Sequence, residues 1–254
     1  MKLLLVNPNR TQAVTDAVLA AAQARATPGT ELLAVTCDFG PQVIGSRAEN
    51  ALAQHGVLEL VARHAADCDA LVLGVSLDTA LWACRELLDI PVIGMTEAGM
   101  LCGMTVATRV GLLTYSARMG PLYRELVESY GFGSRLAGIE TIDVIPQQTF
   151  DEPGVVRAAV IAGARRLVER DGAEAVLLAG AAMASMADAL QPELSVPLLD
   201  GVGCAVALAQ AMVAMKLPRA RAGSVSATGG RAVSGVSPAL SALFAKPISI
   251  TTDH

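Results

Sequence analysis

The residues best suited to chemistry lie in two short loops, each of which follows an aliphatic run. The first loop, residues 74–78, carries Gly74, Val75 and Ser76, and the second, residues 180–182, begins with Gly180 and Ala181. Small residues leave backbone N–H groups accessible, and such groups can hold an oxyanion or a carboxylate. The two loops therefore predict a binding site for a small anion or a planar ring. Ser76 is also a candidate for capping a helix.

The two loops belong to an internal repeat. The segment Asp69–Ser76 recurs as Glu174–Ala181, and the segment Lys2–Asn9 matches Arg109–Ser116 at about the same spacing. In open α/β sheets ligands bind at the carboxyl ends of the strands, where these loops would lie. A duplicated unit can place two equivalent loops across one cleft, so a substrate would be handled from both sides.

Polar residues follow the first strand of each half. Asn7 and Asn9 end the first run, and Thr114 and Tyr115 end its counterpart. The two asparagines can orient a polar substrate, or they can simply stabilise their own turn. Ordinary turn chemistry is likewise an alternative for Thr114 and Tyr115. All four are candidate binding residues.

Three residues are candidates for moving a proton: Ser76, Asp78 and Tyr115. Asp78 is the nearest titratable residue to the first loop, although a charge at the start of the following helix is the alternative interpretation. We expect no metal and no cofactor, because the five cysteines are scattered and form no ligand spacing with histidine. The cysteines are predicted to be small packing residues in a reducing compartment: Cys37, Cys68, Cys84, Cys102 and Cys204.

Strand and helix patterns alternate along the chain, which predicts the α/β class with parallel sheets and right-handed crossovers. The predicted strands cover residues 2–7, 31–36, 70–74 and 91–94 in the first half and 109–114, 139–144, 175–179 and 197–199 in the second. Helices are predicted between them, including one over 183–190. We expect two pseudo-symmetric domains, 1–97 with 207–254 and 98–206, with the site in the cleft between them.

Composition argues against several classes of partner. The 254-residue chain carries a net charge of -5 and no basic cluster, so nucleic-acid binding is not expected. Its aliphatic runs are too short to span a membrane, and the first one is broken too early for a secretory signal. We therefore expect a cytoplasmic protein. Because 53% of the residues are hydrophobic, we also expect a homo-oligomer.

Several motifs together resemble the hydantoin and allantoin racemases of the aspartate/glutamate racemase superfamily. They are Asn7–Asn9, Pro91–Ala98, Met183–Asp188, Pro197–Gly201 and Val233–Pro238. The resemblance covers essentially the whole chain and implies the same two-domain fold. The sequence Gly74-Val75-Ser76 also resembles the first anion-binding loop of arylmalonate decarboxylases, and Thr114 and Tyr115 look like the family's second group of donors to an anion.

The chain departs from this family at the two positions that matter most. The resemblance implies one cysteine on each loop, one thiolate removing a proton and the other thiol delivering one. Alignment on Asp78 and Met183 places these positions at Val75 and Gly180, which cannot carry a proton.

The resemblance and the departure together leave two functional expectations. The first is an isomerase, decarboxylase or lyase that acts on a small carboxylate, hydantoin or cyclic amide by stabilising an enolate, without the two-cysteine mechanism. The alternative is a non-catalytic binding protein or an inactive variant on the racemase fold.

Overall fold

Two parallel four-stranded sheets form the framework, one in each half of the chain. The computed structural model describes residues 1–220 and 222–246, so the last eight residues of the predicted first domain lie outside it. The strands are β1 Lys2–Asn7, β2 Glu31–Thr36, β3 Ala70–Leu73, β4 Val92–Gly94, β5 Val110–Tyr115, β6 Leu136–Ile142, β7 Ala175–Leu178 and β8 Leu198–Asp200. The sheet orders are β2-β1-β3-β4 and β6-β5-β7-β8. The predicted duplicated α/β fold is confirmed.

Helices connect the strands and cover both faces of the sheets. They are α1 Gln12–Arg25, α2 Arg47–His64, α3 Leu81–Leu87, α4 Met95–Val106, α5 Met119–Ser129, α6 Gln148–Asp151, α7 Pro153–Asp171, α8 Met186–Leu190, α9 Gly201–Met215 and α10 Pro238–Phe244. None of the helices described is long and apolar enough to cross a bilayer. The oligomeric state and the domain bounds stay predictions.

Two predicted elements differ from the structure. The strand predicted at 139–144 is Leu136–Ile142, because the buried Leu136 already pairs with Val110 of β5. The helix predicted over 183–190 is a 3-10 turn at 181–183 followed by the short helix α8. It is interrupted at Ser185, whose φ of 70° lies in the left-handed region. Ala80, five residues after Val75 as Ser185 is five after Gly180, has the same conformation with φ 65°.

A buried carboxylate anchors the first loop to the helix that follows β4. Asp78 accepts hydrogen bonds from the backbone N–H groups of Thr96 and Glu97, both at 2.9 Å, in the first turn of α4. The hydroxyl of Tyr130, from the second half, donates to the same carboxylate at 2.8 Å. Helix N-termini favour a negative charge, so this contact both caps α4 and fixes the end of the first loop. Asp78 thus caps α4 rather than α3, the helix that follows it in sequence.

In the second half, the carboxylate that caps the corresponding helix comes from the end of the last strand and not from the loop. Asp200 is the last residue of β8, as Gly94 is of β4, and its own carboxylate accepts from the N–H of Val202 at 3.0 Å in α9. It also accepts from the N–H of Ser185 at 3.4 Å, just after the second loop. A Cβ built on Gly94 would lie 2.4 Å from the Asp78 carboxyl carbon. Each half therefore has room for only one carboxylate at the N-terminus of the helix that follows its last strand, α4 in the first half and α9 in the second.

The substitution Gly94→Ala tests this steric constraint. We expect it to lower the free energy of unfolding by about 2–4 kcal/mol, because the Asp78 carboxylate must leave two N–H groups while staying buried. Gly154→Ala is the matched control, since its Cβ would meet nothing within 4 Å, and it should change stability by less than about 0.5 kcal/mol. If urea denaturation showed that the two substitutions change the free energy of unfolding equally, the steric constraint at Gly94 would be contradicted.

Candidate active site

A cavity of about 140 Å³ lies between the two loops. Its walls come from both halves of the chain, and most of the residues that form them are apolar. An apolar cavity of roughly 150 Å³ holds a molecule the size of benzene, so a small ring fits. The lining residues are Asn9, Val14, Val43, Ile44, Gly45, Val75, Ser76, Thr114, Tyr115, Ser116, Met119, Tyr123, Pro146, Ala179, Gly180, Ala181 and Ala182.

Most of the predicted binding residues reach this cavity. Seven line it: Asn9, Val75, Ser76, Thr114, Tyr115, Gly180 and Ala181. Val75 and Gly180, the positions where the resemblance implies cysteines, thus lie on the walls of one cavity.

Three candidates do not line the cavity. Asn7 is fully buried behind Asn9, donating to the Asn9 side-chain oxygen at 3.2 Å and accepting from the Asn9 N–H at 3.1 Å. Gly74 donates its N–H to the carbonyl of Val6 at 2.8 Å, which continues the pairing of the first sheet. Asp78 is buried beneath α4, and burial raises its pKa to about 7, although its three hydrogen bonds lower it. These residues shape the site from behind.

The two loops offer equivalent sets of backbone donors. Within the described part of the chain, the N–H groups of Val75 and Ser76 in the first loop donate to no protein acceptor. The same holds for the N–H groups of Gly180, Ala181 and Ala182 in the second loop. Successive unpaired N–H groups in a turn form an anion-binding concavity. The site can therefore contact an anionic group through both loops.

A buried hydroxyl group joins the two halves at the cavity wall. The Oγ of Ser76 is hydrogen-bonded to the hydroxyl of Tyr123, from α5. Burial raises the pKa of Tyr123 to about 12, although hydrogen bonds with Ser76 and Thr114 lower it. Thr114 in turn donates to the carbonyl of Ala179 at 2.8 Å. The side chain of Tyr123 is consequently protonated at neutral pH. The capping role for Ser76 is not observed, because α3 begins only at Leu81.

Tyr115 occupies the space in front of Gly180. A Cβ built on Gly180 would lie 2.6 Å from Cε2 of the Tyr115 ring and 2.8 Å from the Met183 methyl group. The Tyr115 hydroxyl is held at 2.7 Å from the Thr149 hydroxyl, and burial raises the pKa of Tyr115 above its usual value. Any side chain at position 180 therefore competes with this ring.

The described lining has no residue that could act as a base at neutral pH. It contains no cysteine, histidine, aspartate or glutamate, and its only titratable side chains are Tyr115 and Tyr123. The five cysteines lie elsewhere in the fold.

Several lining residues were missed by the sequence analysis. Val43, Ile44 and Gly45 come from the segment before α2, which is fixed where Glu49 accepts from the Gly45 N–H at 2.9 Å and Ser46 caps the helix. The pattern Ser46-x-x-Glu49 is a capping signature and could have placed this segment. Tyr123 stands one turn into the helix that follows Thr114 and Tyr115, and that position is its only sequence signal.

Comparison with known proteins places the chain in a family. The profile described as Asp/Glu/Hydantoin racemase matches residues 3–209. The chain belongs to this family.

Individual relatives agree with this family membership. The chain is 35% identical over 216 residues to a hydantoin racemase from Pseudomonas sp. (strain NS671), covering 84% of this chain and 86% of the relative. Its fold matches an allantoin racemase from Klebsiella pneumoniae with a TM-score of 0.90 and 34% identity, covering 94% and 98% of the two chains. Arylmalonate decarboxylase shares the fold alone, with a TM-score of 0.58, 15% identity, and coverage of 96% and 99%.

Stability measurements on a double-mutant cycle test the competition between Tyr115 and a side chain at position 180. We expect Gly180→Ala to cost about 1–3 kcal/mol in the parent and less than about 0.5 kcal/mol when Tyr115 is also changed to Ala, because the ring no longer blocks the new Cβ. Gly120→Ala is the control, since its Cβ would meet nothing closer than 3.8 Å. Additive effects of the two changes would show that the ring does not fill this space.

Proposed function

We propose that this member of the racemase family forms and protonates an enolate on a small carboxylate, and binds cyclic amides in the same cavity, without a thiol. The observation that carries the proposal is the set of unpaired N–H groups on two equivalent loops, on either side of one apolar cavity. Donors fixed in advance around a developing oxyanion favour the transition state over the ground state.

The cavity lining has hydroxyl groups but no base, which favours a reaction that adds a proton over one that removes it. Racemisation needs a base, whereas loss of carbon dioxide produces the enolate directly. In decarboxylation the bond to one carboxylate breaks, its electron pair forms the enolate, and carbon dioxide leaves. The carbon then needs one proton. The buried Tyr123 and Ser76 hydroxyl pair supplies it and is reprotonated by water, since the raised pKa of Tyr123 keeps its proton in place at neutral pH.

The apolar wall of the cavity also favours decarboxylation. Val43, Ile44 and Val75 line the cavity together with Met119. A carboxylate placed against such side chains loses its hydration, and its charged form is disfavoured. A malonate fits a cavity with N–H groups on one side and apolar side chains on the other, because the loops can hold one carboxylate while the second lies against the apolar side chains. Cyclic ureides are the second class of ligand, bound without turnover because they have no carboxylate to lose; relatives named hydantoin racemase and allantoin racemase share about a third of their residues with this chain.

Product analysis by proton NMR in deuterated water tests the reaction. We expect 2-aryl malonates to lose carbon dioxide and gain one deuterium at the α-carbon. Ser76→Ala and Tyr123→Phe should each slow turnover by about 100-fold, because each removes part of the proton donor. Ser129→Ala is the matched control, as this exposed hydroxyl only donates to the carbonyl of Leu126, and its rate should equal that of the parent.

Two further measurements separate this proposal from the alternatives. Rapid α-proton exchange of 5-substituted hydantoins that iodoacetamide abolishes would show thiol chemistry and contradict the proposal. Calorimetric binding of the malonate without turnover would favour the second candidate, a binding protein. The absence of cysteine, histidine and carboxylate side chains from the described lining is the observation that keeps that candidate open.

Restoring the two thiols tests the geometry of the loops. We expect the variant Val75→Cys, Gly180→Cys, Tyr115→Ala to exchange the α-proton of a 5-substituted hydantoin, because backbone N–H groups in such a loop lower the pKa of a thiol and also hold an oxyanion. Retaining Tyr115 should slow exchange by about 10-fold or more, since the ring displaces the second thiol. The matched controls carry serine in place of both cysteines. Exchange that is equally fast with and without Tyr115 would contradict the assigned role of the ring.

A further inference from the structure

Asn9 is almost completely buried and yet lines the cavity between the two loops. It is 7% exposed and belongs to the turn that follows β1. Its side-chain oxygen accepts from the backbone N–H of Thr11 at 2.9 Å and from the side-chain NH₂ group of Asn7 at 3.2 Å. A backbone N–H can only donate, so the Asn9 atom that faces Thr11 must be the oxygen. The orientation of the Asn9 amide is therefore fixed by its surroundings.

The nitrogen end of this amide is accessible from the cavity. Within the described part of the chain, the NH₂ group of Asn9 donates to no protein acceptor, although both contacts of the oxygen are made. No fully buried side-chain nitrogen or oxygen among the described residues lacks a hydrogen-bond partner, so the Asn9 nitrogen is reached from the cavity that Asn9 lines. An unpaired amide donor at such a place binds an acceptor on the molecule that enters. The cavity thus has a side-chain donor in addition to the N–H groups of the two loops.

No charged acceptor in the lining balances these donors. The described lining has no aspartate or glutamate, and the counterpart of Asn9 in the internal repeat is Ser116, a neutral residue. A carboxylate in this cavity finds several N–H donors, whereas an ammonium group finds neutral oxygen atoms alone. Burial of a cation among apolar side chains without an opposite charge is costly. The polar groups of the cavity therefore discriminate between an anionic and a cationic substituent.

We propose that Asn9 is a specificity-determining residue, whose NH₂ group donates to the carboxylate of the substrate and offers no acceptor to an α-ammonium group. The site thereby selects carboxylic acids that have no amino group at the α-carbon, and it excludes α-amino acids. This role of Asn9 rests on the proposed function, because it takes a small carboxylate as the ligand. It concerns binding alone, so it holds whether or not the bound acid loses carbon dioxide.

The substitution Asn9→Asp reverses the polarity of this group without changing its shape. One carboxylate oxygen can keep the hydrogen bonds from Thr11 and Asn7, because both partners donate to the Asn9 oxygen. The second oxygen then takes the place of the NH₂ group in the cavity. There it attracts an ammonium group and repels a carboxylate. A change of ligand preference, and not only a loss of binding, is therefore expected.

Titration calorimetry of the full chain with phenylacetate and with each enantiomer of phenylglycine tests the role of Asn9, since these ligands differ by the α-ammonium group. We expect the parent to bind phenylacetate at least about 10-fold more tightly than phenylglycine. Asn9→Leu should weaken phenylacetate binding by about 10-fold to 100-fold, because a hydrogen bond to a charged group is lost. Asn9→Asp should bind phenylglycine more tightly than phenylacetate. Asn50→Asp is the matched control outside the lining, since its oxygen keeps the hydrogen bond from Thr79 at 2.7 Å, and it should change either affinity by less than about twofold.

Several results would overturn this role of Asn9. Equal affinity of the parent for the two ligands would show that the cavity does not discriminate against an ammonium group. An Asn9→Asp variant with the circular dichroism spectrum of the parent and the same preference for phenylacetate would show that the amide does not contact the ligand. A parent that binds neither acid would contradict both this role and the proposed function. The expected preferences without decarboxylation of aryl malonates would support the role of Asn9 and contradict the proposed reaction alone.

Discussion

The carboxylate beneath the helix that follows the last strand of each half is the contact on which the site depends. In the first half it comes from Asp78 and requires Gly94 to lack a side chain. In the second half Asp200 stands at the position equivalent to Gly94 and supplies the carboxylate itself. Both arrangements satisfy the N-terminal N–H groups of a buried helix and fix the neighbouring loop at the same time. These contacts fix the two loops at equivalent places in the two halves.

The chemistry of the site follows from what occupies the two loop positions. A valine and a glycine stand where the family resemblance implies cysteines, and the Tyr115 ring fills the space in front of Gly180. The described lining keeps backbone donors and buried hydroxyl groups but no base. We propose that such a site holds an anion and returns a proton, as decarboxylation requires. The Tyr115 ring and a side chain at position 180 therefore exclude one another.

Local sequence patterns predicted much of this arrangement. The repeat of Asp69–Ser76 in Glu174–Ala181 predicted both sheets, and its register put Val75 and Gly180 on the walls of one cavity. Strand-end loops are predictable because parallel strands bring their carboxyl ends to one edge.

Features that depend on tertiary contacts were not predictable from the sequence. Asp78 is placed beneath α4, eighteen residues further along the chain, and Asn7 turns inward to support Asn9. The ring of Tyr115 meets Gly180 only through the pairing of β5 with β7. Tyr123 reaches Ser76 across the two halves, a contact that no local pattern encodes.

We propose that one anion is held by both loops together. Titration of ¹⁵N-labelled protein with an arylacetate, followed by amide resonances, tests it most directly. The account predicts that the N–H resonances of Ser76 and Gly180 shift together and saturate at the same ligand concentration, because both loops contact the same carboxylate. Shifts confined to one loop, or shifts of neither while the ligand binds elsewhere, would contradict it.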